Sequence, residues 1–168
     1  MNVYKKSGGF TLLELLIAII IFAVLSAMIS GSFFLSLKKG RDSRRKTDLE
    51  QIQKAIEMFY EDQKAYPSFD IFATSNLKLC QTKIASDCGT EKTYMQKIPN
   101  DPFTNKTYAY VSSSNQTYGL YACLENTEQV LPTTSTNYGS FSCSVNCKDS
   151  AGASTPCIWG ISDSNSLP

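Results

Sequence analysis

Glu14 is the only charged residue in an apolar run that reaches from Phe10 to Leu37. A carboxylate inside a membrane-length segment is a functional hypothesis by default. It costs roughly 2.5–3.5 kcal/mol at the centre of a bilayer and less near an interface. Two readings stay open. In one, the acid favours the positive end of the helix dipole close to an interface. In the other, it is a buried partner for a positive group on another subunit. Just upstream, Gly8-Gly9-Phe10 places small residues before the apolar run, where a peptidase on the cytoplasmic side can reach them. A cut after Gly9 would make Phe10 a new N-terminus and leave Glu14 one turn inside it.

The second set of reactive residues is Cys80, Cys88, Cys123, Cys143, Cys147 and Cys157, all in the later part of the chain. An even number confined to a loop-rich region reads as disulfides formed in an oxidising space, and six cysteines allow 15 pairings. Cys80–Cys88 is the expected local loop, with the other four pairing among themselves. A metal site is the rival, since Cys143-x3-Cys147 has tolerable zinc spacing. The chain has no histidine and no second tight cysteine pair, so no metal site is expected. No nucleophile motif, phosphate loop or close carboxylate pair stands out, and no catalysis is expected.

These residues need elements to position them. Leu15 to Leu37 carries no charge and as a helix spans roughly 34 Å, enough for a hydrocarbon core of about 30 Å. A secretory signal peptide has a shorter apolar region, about 7–15 residues, followed by small residues such as Ser26-Ala27 or Ser30-Gly31-Ser32. The length and the early acid count against it. A plain uncleaved anchor is the other rival. Beyond the run, Leu49, Ile52, Ile56 and Phe59 recur at spacings of three and four, opposite Asp48, Glu50, Lys54, Glu57, Glu61 and Asp62. That pattern predicts an amphipathic helix. Gly40 costs it about 1 kcal/mol against Ala, so one helix is predicted from about Phe10 to Lys64. Pro67 ends it, with Tyr66 pushed out of helical geometry.

After the stem, short helices are expected within 68–79 and 91–97. Strands are predicted over 107–112, over 117–124 with Tyr118, Leu120, Ala122 and Leu124 on one face, and over 137–145. The fold class is α+β: a long N-terminal helix packed on a small antiparallel sheet with disulfide-bonded loops. The expected organisation is 1–9 leader, 10–37 transmembrane or filament-core helix, 38–64 amphipathic helix and 65–168 head.

The block Gly9-Phe10-Thr11-Leu12-Leu13-Glu14, with basic Lys5 and Lys6 before it and the apolar helix after it, resembles the class III leader of type IV prepilins and type II secretion pseudopilins. The resemblance covers residues 5 to 67. A weaker one over 99–125 rests on Pro99, Asp101-Pro102, Tyr108, Tyr110, Tyr118 and Leu120. It implies cleavage between Gly9 and Phe10 by a membrane prepilin peptidase, N-methylation of Phe10, and a role for Glu14 in neutralising the amine of a neighbouring subunit during assembly. The implied partners are like and related subunits through 10–37, the peptidase/methyltransferase, the assembly platform and the cytoplasmic membrane. Gly31 departs from the pattern, because many major pilins carry a proline there. Glycine softens a helix far less than proline's roughly 3 kcal/mol, which leaves the choice between a major and a minor subunit open. Some pseudopilins hold calcium in a late loop, where Asp149, Asp163 and Asn165 offer oxygens. Their spacing follows no loop signature, and no cofactor is expected.

Charge bears on orientation and partners. Removing Lys5 and Lys6 with the leader leaves 14 basic against 15 acidic residues, a net charge of −1. Lys38, Lys39, Arg41, Arg44, Arg45 and Lys46 form a basic collar opposed by Asp42. It reads as a solvated flank of a membrane helix, with anionic head groups as the alternative contact. The head beyond it is mildly acidic, which offers no nucleic-acid site. The collar outweighs the leader, and by the positive-inside rule this alone puts the head in the cytoplasm. The cysteines and the resemblance overrule that and put the head outside. The expected function is a type IV pilin-like subunit of an extracellular filament serving adhesion, motility or DNA uptake. The alternatives are a type II secretion pseudopilin and an anchored binding protein that does not assemble.

Overall fold

A computed structural model describes residues 9–74, 77–113, 115–131 and 141–163, without the side chains of 29–32 and 113. The chain forms two compact units, one up to Leu37 and one from Lys38.

Helix α1, Leu12–Gln63, contributes to both. In the first unit its apolar side chains are exposed almost throughout, Leu13, Ile17, Phe22 and Met28 among them. Divided at 29–32, neither part of α1 alone is long and apolar enough to cross a membrane, and the two parts together are. Gly31 lies among residues outside the described side chains. In the second unit α1 buries Leu49, Ile52, Ala55, Ile56 and Phe59, the face that its periodicity predicts. It closes earlier than Pro67. Lys64 sits at φ 55° and its N–H donates to the Tyr60 carbonyl at 2.8 Å. This is a left-handed cap without glycine.

Among the described residues, three small sheets complete the second unit. Strands β1 (Lys78–Cys80), β2 (Ile84–Ala85) and β3 (Thr93–Met95) form one, in the order β2-β1-β3. The main sheet is antiparallel, β4 (Ala109–Ser113), β5 (Thr117–Cys123) and β9 (Ile158–Ser162), with Tyr110 opposite Leu120 and Leu120 opposite Ile161. Its inner face carries Tyr108, Tyr118, Leu120 and Ala122 into the same core as the helix stripe. On its other face the Tyr121 ring lies across Gly119 and Gly160, where an added Cβ would collide with it. The third sheet joins β6 (Val130–Leu131), β7 (Asn146–Asp149) and β8 (Ser154–Pro156), with β6 parallel to β7.

Three sequence expectations need correction. The segment 91–97 contains strand β3 and no helix, because the Cys80–Cys88 link folds β1 back and presents an edge that β3 pairs with. The described part of 68–79 has turns followed by β1, again with no helix. The third strand of the main sheet is β9, whereas the described part of 137–145 is not a strand. Residues 132–140 lie outside the described residues.

Candidate functional site: a capped helix start and a buried arginine cluster

In the first unit Thr11 and Glu14 cap α1 reciprocally. The Glu14 N–H donates to Thr11 Oγ1 at 3.2 Å, and the Thr11 N–H and hydroxyl donate to Glu14 Oε2 at 3.2 and 3.3 Å. Thr-x-x-Glu at a helix start satisfies two donors that the first turn leaves without partners. Gly9, Phe10 and Glu14 are all exposed, so the peptide bond proposed for cleavage and the carboxylate are both accessible. Residues 1–8 lie outside the described residues.

The second unit contains a feature that the sequence reading missed. Arg45 is completely buried, whereas the sequence alone places it in a solvated collar. Its Nε donates to Asp101 Oδ2 at 2.7 Å and its Nη2 to Asp101 Oδ1 at 2.9 Å. Its Nη1 meets Asp42 Oδ1 at 2.7 Å and Glu125 Oε1 at 2.6 Å. Arg41 adds a second guanidinium, 2.6 Å from Glu125 Oε2, and lies over the Phe103 ring. Asp42 accepts the backbone N–H groups of Glu125 and Asn126, at 2.9 and 2.8 Å to the nearer oxygens. Burial works against the charge of Arg45, but its hydrogen bonds to Asp101, Glu125 and Asp42 hold its pKa above the ordinary value. Burial pushes the Glu125 carboxyl up, and Arg41 and Arg45 outweigh this and hold it below its ordinary value. Of the collar, only Lys38, Lys39 and Arg44 remain exposed. One signal was available in the sequence: Asp42 and Arg45 continue the Leu49–Ile52–Ile56–Phe59 face toward the N-terminus.

Tyrosines join the helix to the rest of the unit. Tyr108 donates to Asp48 at 2.8 Å, and Tyr118 and Tyr66 donate to Glu57 at 2.7 and 3.2 Å. Tyr94 donates to Asp62, which also pairs with Lys92. Burial followed by the Asp48 bond raises the Tyr108 hydroxyl, and burial also raises Asp48.

The cysteines pair as Cys80–Cys88, Cys123–Cys143 and Cys147–Cys157. Cys143 and Cys147 therefore lie in different disulfides. Of the oxygen donors considered for calcium, Asp149 caps the β7–β8 turn by accepting the N–H groups of Ala151 and Ala153. Asp163 is buried and accepts the Tyr118 N–H at 3.3 Å. Asn165 lies outside the described residues. Among the described residues no group of three or more His, Cys, Asp or Glu side chains is placed to hold a metal ion.

The helix start and the stem that follows it each match a known family. The prokaryotic N-terminal methylation motif matches residues 4–30, and the type II secretion system (T2SS) protein G model matches residues 33–129. The chain belongs to the type II secretion system protein G family. The type II secretion system core protein G of Vibrio cholerae is 26% identical over 119 residues, 69% of this chain and 78% of that protein. The protein of the same name from Escherichia coli is 24% identical over 124 residues, 74% of this chain and 83% of its own length. That from Pseudomonas aeruginosa is 23% identical over 118 residues, 70% and 83% of the two chains. No solved structure matches. The protein G match ends before β6, β7, β8 and β9. The strand that completes the main sheet and two of the disulfides thus draw on residues beyond the matched region.

Proposed function

We propose that this chain is a pseudopilin-type structural subunit of a type II secretion system. It is held in the cytoplasmic membrane by its apolar helix, with the disulfide-bonded head outside. Cleavage between Gly9 and Phe10 and N-methylation of Phe10 prepare it, and it assembles through residues 10–37 with like subunits. In assembly Glu14 meets the Phe10 amine of a neighbour. The carrying observation is the pairing, on one chain, of a prepilin methylation motif with a protein G stem and head. The capped, exposed Glu14 supports it, since its carboxylate is oriented at the helix start. This reading replaces the expected surface pilus as the main one, because the relatives' names all refer to secretion.

Intact mass and N-terminal sequencing of the membrane-purified protein test the processing step. A chain starting at methylated Phe10 is expected, and a start at Met1 or near Ala27 would overturn it. Deletion of the gene tests the system. Loss of protein export with surface fibres intact is expected, while loss of fibres with export intact would restore the pilus.

A further inference from the structure

Arg45 carries its charge at a position with 0% exposure. A buried ion cluster is weak evidence of stability, because desolvation offsets the attraction, and apolar residues of similar volume often serve the fold as well. Its best-attested use is to fix one register among several that apolar contacts allow.

Helix α1 has that ambiguity. Its buried Leu49, Ile52, Ile56 and Phe59 repeat at spacings of three and four. A slide of one turn, roughly 5.4 Å, puts Ile52 in the place of Leu49 and Ile56 in the place of Ile52, or the reverse. One aliphatic side chain replaces another of similar size. Apolar burial is non-directional, so the stripe discriminates poorly between these positions.

The charges discriminate well. Slid one way, Leu49 takes the place of Arg45, and Asp101 and Glu125 face an aliphatic side chain. Slid the other way, Arg45 falls where Leu49 packs and loses both acids. Asp42 loses the N–H groups of Glu125 and Asn126 in either case. The acids come from three segments: α1 itself, the loop before β4 and the chain just after β5. The tyrosine bonds to Asp48, Glu57 and Asp62 follow the same register, but Glu57 and Asp62 lie where water can replace a lost partner. The side chains of Arg45 and Asp101, 0% and 1% exposed, have no such recourse. We infer that Arg45, with Asp42, is the positioning residue that sets the register of α1 against the main sheet.

The test uses the isotope-labelled full chain in detergent micelles and does not depend on assembly, so its failure leaves the secretion reading untouched. NMR counts the sets of backbone resonances over 48–63 and maps the contacts of Tyr108 and Tyr118 with the helix. The wild type is expected to give one set. Arg45→Met, close in volume and uncharged, is expected to keep three disulfides and its helix content. It is also expected to show a second set in which the Tyr108–Asp48 and Tyr118–Glu57 contacts are lost. A single set with wild-type contacts, at whatever stability, overturns the inference and makes Arg45 merely structural. Asp101→Asn, which keeps the shape of the cluster, decides the case if Arg45→Met does not fold. A second set then supports the pin, and one set at wild-type register overturns it.

Discussion

Glu14 and Arg45 lie on one helix, the first in an apolar run and the second in a basic collar, and the molecule treats them in opposite ways. The carboxylate of Glu14 is exposed and, among the described residues, bonded to Thr11, one turn away. The guanidinium of Arg45 is fully buried and meets acids 3, 56 and 80 residues away. One part of α1 has its polar requirement satisfied inside the subunit. The other keeps an exposed carboxylate and a wide exposed apolar surface. The difference fits the proposed roles, in which the Arg45 region builds the subunit and the Glu14 region faces a neighbour.

If that contrast is right, substitutions at the two places separate completely. The largest effect is expected from Glu14→Leu, which should reduce cross-linked oligomers and assembled filament in membranes to background. The urea midpoint of the head should stay unchanged. Equal loss of head stability would break the distinction. Next comes Asp101→Ala, which leaves the buried Arg45 without its bidentate partner. It should cost about 3–5 kcal/mol in chemical unfolding, and assembly should fall only as far as folding does. Replacing Cys147 and Cys157 together by serine opens a short loop and should cost roughly 2–3 kcal/mol, read from the same curves under oxidising conditions. Thr11→Ala removes one half of the helix cap. It should cost about 1 kcal/mol of local stability, seen as faster amide exchange over the first turn and nowhere in the head.

The smallest effect concerns pH. The folded-state pKa of Glu125 lies below its ordinary value. Its contribution is therefore present above the ordinary value and is lost as pH falls through the folded one. Glu125→Gln should flatten the acid limb of a stability-against-pH curve. Asp48 runs the other way. Its raised pKa means that its carboxyl favours folding when protonated, and that advantage fades as pH rises through the folded value. A curve for Asp48→Asn that still declines over this window would show that other groups carry the pH dependence.

Much of this was readable along the chain. The helix stripe showed in its three-and-four spacing, and strands β4 and β5 showed in their alternation. Strand β9 did not, because Ile158–Ser162 is a short run with a glycine in its middle and looks like the loops around it. Its role depends on β5 having a free edge. Strand β3 was mistaken for a helix because a three-residue strand has too few residues to show a period. The collar misled for a different reason. Six basic residues close together look solvated when their counter-charges lie far along the sequence.

Local sequence determined the features whose causes are local: the apolar helix and its lone acid, the Thr-x-x-Glu start, and the periodic face of the stem. Only tertiary structure decided which cations are buried, which strand completes the sheet and how Cys123, Cys143, Cys147 and Cys157 pair. Those outcomes depend on contacts between residues far apart in the chain. Asp101 and Glu125 turn Arg45 from a surface charge into a core residue only once the fold brings them within 3 Å of it.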